Sequence, residues 1–204
     1  MNKFKLTDEK MEYCGRTLHR IVCVTAFASV SVGELGGWVE SEKNLSQYGN
    51  AWVYGDAKVY GNAWVYGDAE VCGNAKVYGD AWVCGNAKVY GDAKVCGNAK
   101  VFGNAWVCGN ALVCGNAEVY GNAKVYGDAD YIVLKNNWSS GRYFTYTASN
   151  KMWKVGCFHG TGEELIAKAY KDSELSGKCY EASVRYVEEL ERIKAEIQQE
   201  EKNG

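Results

Sequence analysis

Valine, glycine and alanine recur every six residues through the middle of the chain, and this period dominates the pattern of apolar and polar positions. Glycine fills every sixth position from Gly49 to Gly127, fourteen times without a slip. Each unit reads Val, then Tyr, Cys or Phe, then Gly, Asn or Asp, Ala, and a variable residue. A helix would lose about 1 kcal/mol at each glycine, and hairpins need longer strands between turns. The period therefore predicts a mainly β fold with a parallel β-solenoid over residues 47–130, one short strand and one corner per unit.

This repeat resembles that of the hexapeptide-repeat proteins, which form left-handed parallel β-helices. The likeness rests on an aliphatic residue at the first position of a unit and a small one four residues later, as in Val53 and Ala57. The resemblance implies a triangular coil of three units and a little under five coils. The glycine lies one place later than in the commonest form of the motif, so a right-handed, bactofilin-like solenoid is the alternative.

Strand alternation predicts that valine and alanine point inward and that the Tyr/Cys/Phe and variable positions point outward. Residues eighteen apart then stack as ladders on three faces. We expect Tyr48, Tyr66, Cys84, Phe102 and Tyr120 on the first face, Tyr54, Cys72, Tyr90, Cys108 and Tyr126 on the second, and Tyr60, Tyr78, Cys96 and Cys114 on the third. We expect Trp64 and Trp82 beside the third ladder, and a solubilising row of Lys58, Lys76 and Lys94 on the second face.

An outer surface this rich in aromatic residues has two interpretations. The rings are either good strand formers that cover a small prism, or a surface for binding and self-association. On the second interpretation the candidate binding residues are Tyr48, Trp52, Tyr60, Trp64, Tyr66, Tyr78 and Trp82, with Trp138 and Arg142 outside the solenoid. Hexapeptide-repeat proteins commonly assemble as trimers, so the resemblance implies a homo-oligomer, with a trimer favoured.

Residues 1–46 and 131–204 flank the repeat. The first segment predicts strands at Lys3–Leu6 and Thr17–Thr25 around a Cys14-Gly15 turn, followed by a capping coil in which Val39 and Leu45 take the alanine position.

The C-terminal segment predicts an α+β domain. Its strands are Tyr131–Lys135, Gly141–Thr147 and Met152–Phe158, and a capping box at Thr161–Glu164 opens a helix to about Lys171. A second helix follows Ser176-Gly177 and continues to about Gln199. Its apolar stripe of Val184, Val187, Leu190 and Ile197 packs on its own domain or, alternatively, in a three-chain helical bundle.

The flanks carry a second resemblance. The stretch Gly-Glu-Leu-Gly-Gly-Trp-Val-Glu before the repeat, and Val-Gly-Cys-Phe-x-Gly-Thr in the tail, are similar to small bacteriophage and prophage proteins often labelled as polymer-forming or hexapeptide-repeat proteins. This resemblance implies a phage or prophage origin and no agreed activity. Phage accessory proteins of this size often bind host machinery or sequester host signals.

The positions of the two histidines, His19 and His159, argue against a catalytic function for this fold. Hexapeptide-repeat acyltransferases typically use a coil or loop histidine as general base, and the family's carbonic anhydrases need three histidine ligands, whereas no histidine lies inside these repeats. Cys157 and His159 share a predicted strand face but are too far apart for a nucleophile pair. We therefore expect no catalytic residue, no metal and no cofactor.

Composition indicates which classes of partner the protein binds and where in the cell it lies. Lys and Arg number 23 against 25 Asp and Glu, which argues against a nucleic-acid-binding surface. The chain lacks proline, so Gly-Asn and Gly-Asp must make the corners. The chain has nine cysteines, and five of them share a repeat position with tyrosine. We interpret these five as moderately apolar packing residues, and we expect the cysteines to be reduced. With no apolar stretch for a signal or a membrane span, we expect a location in the cytoplasm of a bacterial host cell.

The sequence thus favours a non-catalytic, oligomeric binding protein of phage type, which engages or sequesters a host protein or a small signalling ligand and so could inhibit a host defence system. A self-assembling structural scaffold is the alternative. An acyltransferase ranks third.

Overall fold

The chain begins with an antiparallel hairpin of two strands, β1 (Phe4–Tyr13) and β2 (Arg16–Cys23). The computed structural model describes residues 2–203 and confirms the predicted turn, with positive φ at Cys14 and Gly15. β1 continues well past Leu6, because pairing with β2 resumes at Lys10 after a register shift. The next strand, β3 (Leu35–Val39), pairs antiparallel with β2 and parallel with a repeat strand.

The repeat forms the predicted parallel β-solenoid, which makes about five turns. Each unit contributes a strand of two residues, the variable residue and the valine that follows it. These strands are β4 (Trp52–Val53), β5 (Lys58–Val59), β6 (Trp64–Val65), β7 (Glu70–Val71), β8 (Lys76–Val77), β9 (Trp82–Val83), β10 (Lys88–Val89), β11 (Lys94–Val95), β12 (Lys100–Val101), β13 (Trp106–Val107), β14 (Leu112–Val113), β15 (Glu118–Val119) and β16 (Lys124–Val125).

The repeat strands stack in three parallel sheets, which are the three sides of the coil. The first face holds β6, β9, β12 and β15, the second β4, β7, β10, β13 and β16, and the third β3, β5, β8, β11 and β14. Partners within the repeat are eighteen residues apart, as Lys88 and Trp106 show. Every valine from Val53 to Val125 is fully buried, so the predicted Val and Ala interior and the three-unit coil are confirmed.

Two predictions about the ends of the repeat are wrong. Val39 pairs with Val59 and Leu45 with Val65, so both take the valine position, with two extra residues in the turn that follows Leu45. At the other end Ala129 is exposed, because Asp128–Asp130 form a 3-10 turn instead of a further coil. The handedness of the solenoid stays a prediction.

Polar side chains close both ends of the solenoid by pairing with its backbone. At the start, Asn44 Nδ2 donates to the carbonyls of Gly61 and Ala63, 2.9 Å each, and Lys3 Nζ donates to that of Ala51 at 2.7 Å. At the end, the Tyr131 hydroxyl donates to the Leu112 carbonyl at 2.8 Å, and Ser149 Oγ accepts from the Lys124 N–H at 2.7 Å. The end coils therefore have bonded edges, as a cap requires.

The chain divides into two compact units, one of Met1–Tyr131 with Thr147–Asn150, and one of Ile132–Tyr146 with Lys151–Gly204. The C-terminal antiparallel sheet runs in the order β17 (Tyr131–Lys135), β18 (Tyr143–Thr147), β19 (Met152–Val155) and β20 (Phe158–Gly160). Two helices follow, α1 (Gly162–Asp172) and α2 (Glu174–Asn203). Thr161 caps α1 through the predicted capping box with Glu164.

The C-terminal prediction is wrong at two points. Met152–Phe158 is not one strand, because a turn at Gly156 and Cys157 separates β19 from β20. Ser176 and Gly177 do not precede the second helix but lie inside α2. Gly177 is needed there for packing, since a Cβ on it would come within 2.2 Å of the Tyr170 ring.

We predict that the corner glycines differ in their tolerance of alanine according to the coil stacked on them. Gly85 (φ +68°) and Gly115 (φ +67°) share one backbone conformation, whose left-handed form costs a non-glycine residue roughly 1–2 kcal/mol. A Cβ at Gly85 would lie 3.0 Å from backbone atoms of Gly103, whereas Gly115 has open space within 4 Å. Gly85→Ala should therefore lower the free energy of unfolding by clearly more than Gly115→Ala in urea titrations. Equal losses would contradict the stacking argument.

Candidate functional site

The variable residues belong to different faces than the sequence analysis expected. Each variable residue lies in the same strand as the valine after it, and the corner falls before it, at Gly-Asn or Gly-Asp. Trp64 and Trp82 therefore lie on the first face, beside Tyr66, and not beside the third ladder. Lys58, Lys76 and Lys94 for the same reason form their row on the third face and not on the second.

Five rings run down the first face and form what we call the aromatic strip: Trp64, Tyr66, Trp82, Phe102 and Tyr120. Trp64 stacks on Tyr66 with ring centroids 4.0 Å apart, and Trp82 meets Trp64 edge-to-face at 6.2 Å. Phe102 and Tyr120 follow at 4.5 Å. Burial among these neighbours raises the pKa of Tyr66 to about 12, so its phenol stays neutral at physiological pH.

The aromatic strip consists of two groups of rings, because Cys84 lies between Tyr66 and Phe102 in the ladder and Lys100 follows Trp82 at the variable position. Lys100 Nζ lies 5.5 Å from the centre of the Trp82 ring and 3.2 Å from Glu118 Oε1, one coil further on. The side chains of Trp64 and Trp82 remain 38% and 41% exposed. An aromatic centre with paired charges at its border is the composition of a protein-protein interface.

The N-terminal segment covers the first coils of the other two faces. On the second face, Trp52 is fully buried beneath Phe4 and Phe27, whose ring centroids are 6.2 and 5.4 Å from its own. On the third face, Tyr60 is buried in a cluster with Leu18 and Trp38, against which Tyr13 packs.

The nine candidate binding residues are therefore not brought together. Trp64, Tyr66 and Trp82 form one surface, Trp52 and Tyr60 are covered, and Tyr78 stacks in parallel on Tyr60 with centroids 5.1 Å apart. Tyr48 is 85% exposed in a bend outside the strands. Trp138 and Arg142 are exposed residues of the second unit.

The Trp138 turn is organised by its own side chains. Asn136 Oδ1 accepts from the backbone N–H groups of Trp138 and Ser139, 3.1 Å each, and Asn136 Nδ2 donates to Ser139 Oγ at 2.9 Å. Two of the N–H groups that an anion would need are thus already used. This arrangement fits the polar-turn interpretation of the segment better than an anion site.

The first unit also contains a cleft of about 630 Å³, which no sequence motif predicts, lined in part by Arg16, Glu40, Lys43 and Asp80. Its polar groups are largely paired with one another. Arg16 Nη1 donates to both oxygens of Glu40 at 2.8 and 2.9 Å, and Glu40 also accepts from the Gly61 N–H. Asn62 donates to Asp80 at 2.9 Å. These contacts attach the N-terminal segment to the corner at Gly61. They also use hydrogen-bonding groups of Arg16, Glu40 and Asp80 that a ligand would need.

The two histidines lie outside the repeat strands. His19 is in β2, and His159 is in β20 opposite Lys154, where burial above all lowers its pKa. Cys157 is in the turn before β20 and does not share a strand face with His159, contrary to the expectation. Among residues 2–203 there is no group of three or more His, Cys, Asp or Glu side chains that could hold a metal ion. No helix in that range is both long enough and apolar enough to cross a bilayer.

Comparison with known proteins shows a likeness over part of the chain. No family model matches the chain. Over 62 residues, 26% of this chain, it is 31% identical to a protein of Escherichia coli strain K12 named as the uncharacterized acetyltransferase YdcK. The match covers 19% of that protein, so the chain spans about a fifth of the relative's length. This likeness and the solenoid fit the hexapeptide-repeat family.

We predict that thiol reactivity separates the cysteines by position, because all nine are free and seven lie at least partly buried. Cys14 and Cys157 are exposed, whereas Cys72, Cys84, Cys96, Cys108 and Cys114 line the solenoid ladders. With a chromogenic disulfide reagent the native protein should show two fast thiols, and Cys14→Ser with Cys157→Ser should remove them. Fast reaction of five or more thiols in the native protein would contradict the role of the ladder cysteines as packed fillers.

Proposed function

We propose that the protein is a non-catalytic binding protein that works as a homo-oligomer, and that the aromatic strip is the surface that binds its partner. The observation that carries this proposal is that, in the leading coils, the aromatic residues of the first face stay exposed while those of the other two faces are covered. The cap covers the leading coils of the other two faces with Phe4, Phe27 and Tyr13, while Trp64 and Trp82 are left accessible.

The shape of the surface favours a protein partner over a small molecule. The aromatic strip lies on the outer side of a stacked sheet and spans four coils, about 14 Å at the usual strand spacing. Small ligands prefer concave pockets, whereas flat surfaces with aromatic centres suit protein interfaces. In the phage setting that the sequence resemblance implies, the partner is a host protein. The phage origin and a role against host defence belong to this proposal.

A self-assembling scaffold is the second candidate, favoured by the stacked architecture itself. Filaments of solenoids grow when open end coils pair with the next molecule. Here Asn44 and Lys3 occupy carbonyls at one end, and Tyr131 and Ser149 occupy backbone groups at the other. End-to-end growth would first have to displace these caps, so we rank the scaffold below the binding protein.

An acyltransferase is the third candidate, and the relative named as an acetyltransferase is the observation that favours it. The described solenoid offers no histidine as a general base, and both histidines lie in flanking strands. Proton abstraction from an acceptor requires a base at hydrogen-bond distance in the substrate site. We therefore propose that this chain does not transfer acyl groups.

The binding proposal predicts that the strip tryptophans are essential and that a matched tryptophan is not. Trp106 takes the same repeat position on the second face and is 36% exposed, close to the values of Trp64 and Trp82. Truncation of a hot-spot tryptophan costs about 2 kcal/mol or more, and the losses at two neighbouring residues do not add in full, so Trp64→Ala with Trp82→Ala should weaken partner binding at least ~100-fold. Trp106→Ala should bind like the wild type.

The measurement has two stages. The three proteins are immobilised and challenged with lysate of a bacterial host, and any protein retained in stoichiometric amount is then purified and titrated calorimetrically against each variant. A partner bound equally by all three proteins, or no stoichiometric partner for the wild type, contradicts the proposal. Filaments of the isolated wild type in electron micrographs would favour the scaffold instead.

A separate assay tests the absence of acyl transfer. Wild-type protein incubated with acetyl-coenzyme A and a mixture of amine and hydroxyl acceptors should release free coenzyme A, measured by chromatography, no faster than the same mixture without protein. Release that is abolished by His19→Ala or His159→Ala would contradict the non-catalytic assignment, because it would identify a working general base.

A further inference from the structure

Two of the ladder cysteines lie next to one another on the third face. Val95 of β11 pairs in parallel with Val113 of β14, and the Cys96 N–H donates to the Val113 carbonyl at 2.9 Å. Cys96 and Cys114 follow these valines at the same repeat position, so their side chains leave adjacent coils in the same direction. Both thiols are free, and both side chains are half-buried.

The other three ladder cysteines have aromatic neighbours instead of a second cysteine. The ladder residues eighteen positions before and after them are Tyr54 and Tyr90 for Cys72, Tyr66 and Phe102 for Cys84, and Tyr90 and Tyr126 for Cys108. The ladders therefore bring two thiols into adjacent coils at one point of the solenoid. Because all five cysteines take the same repeat position, the three that stack on rings are matched controls for the pair.

The spacing between adjacent coils suits a disulfide bond. Parallel strands lie about 4.8 Å apart, and the Cα and Cβ atoms of residues stacked in register keep this separation. A disulfide joins Cα atoms about 4.4–6.8 Å apart and Cβ atoms about 3.5–4.5 Å apart. The Cβ atoms of Cys96 and Cys114 therefore have to approach one another slightly when the bond forms. Such a bond is more easily reduced than a relaxed one, which favours a reversible link.

Tyrosine side chains flank the cysteine pair on both sides. A hydrogen bond with Cys96 is the main cause that raises the pKa of Tyr78 in the preceding coil. On the other side, the Tyr131 hydroxyl accepts from the Cys114 N–H at 3.3 Å, donates to the Leu112 carbonyl at 2.8 Å and lies 4.0 Å from Cys114 Sγ. These rings restrict the approach of a bulky thiol reagent far more than that of a small peroxide.

We propose that Cys96 and Cys114 are a redox modification site, at which hydrogen peroxide converts the two thiols into a reversible disulfide. One thiolate attacks a peroxide oxygen, the O–O bond breaks, and the sulfur becomes a sulfenic acid as one water leaves. The second thiol attacks this sulfur, the S–S bond forms, and the hydroxyl leaves as a second water. Two electrons pass from the sulfurs to the peroxide, and both thiol protons end in water. A small dithiol reverses the reaction and is itself oxidised to a disulfide.

The disulfide would fasten the last strand of the third face to the coil before it. β14 lies at the edge of its sheet, next to β11. A bond between Cys96 and Cys114 closes a loop of one coil and restricts the unfolded chain, so oxidation should stabilise this end of the solenoid. The site lies on a different face from the aromatic strip. It therefore goes beyond the proposed binding function and does not depend on what the aromatic strip binds.

Peptide mapping by mass spectrometry tests the site on the full chain. The reduced protein is treated with hydrogen peroxide at low protein concentration, the remaining thiols are alkylated in urea, and the chain is digested with trypsin. Peptides 95–100 and 101–124 should be recovered joined through Cys96 and Cys114, with Cys108 alkylated. Dithiothreitol added before alkylation should abolish the link. Recovery of the two peptides unlinked after peroxide treatment overturns the proposal.

Urea unfolding of matched variants tests the effect of the bond. Oxidation should raise the urea midpoint of the wild type and of Cys84→Ser, and should leave that of Cys96→Ser unchanged, because Cys114 then has no partner thiol. Circular dichroism checks that the variants are folded, and the peptide mapping tests the site in the wild type without them. An equal rise for Cys96→Ser, or no rise for a wild type that carries the link, overturns the claim that the bond fastens this end of the solenoid.

Discussion

The whole solenoid depends on the backbone ladder between successive coils. Each strand donates N–H groups to carbonyls of the coil stacked on it, as Trp82 does to Ala99 at 2.9 Å, and the same bonds recur wherever a further repeat coil follows. The ladder forms only if backbone approaches backbone at every corner, which is why Gly85 lies so close to Gly103. Valine and alanine fill the interior that remains. Because the valine, glycine and alanine positions are fixed, the surface can differ only at the ladder position, the variable position and the Asn or Asp of the corner.

Differences at these positions explain how one repeat supports three different faces. Where Glu70 and Lys88 lie in adjacent coils, the surface is charged and solvated, and Lys88 Nζ pairs with Glu70 Oε2 at 3.0 Å. Where Trp64 contacts Trp82 edge-to-face, the surface is aromatic. The N-terminal segment determines which aromatic side chains stay exposed, because it covers Trp52 and Tyr60.

The six-residue period predicts the solenoid and its Val and Ala interior, because few folds bury residues at that spacing, whereas the eighteen-residue register is implied by the family resemblance. Neither predicts which aromatic residues are exposed. Trp52 and Trp64 occupy the same repeat position, and only the packing of Phe4 and Phe27, far away in sequence, buries the former. Gly177 likewise predicts a helix boundary from the sequence alone, whereas in the structure it lies inside α2 and leaves room for the Tyr170 ring. A local sequence pattern carries no information about such contacts between residues that are far apart in the chain.

Radical footprinting of tryptophan oxidation tests the central claim, that the first face is the binding surface, most directly. Trp64, Trp82 and Trp106 are almost equally exposed in the isolated chain and should be oxidised at similar rates after purification through denaturant and refolding. In host lysate the account predicts that Trp64 and Trp82 become protected while Trp106 does not. Protection of Trp106 alone, or equal rates for all three in lysate, would contradict it.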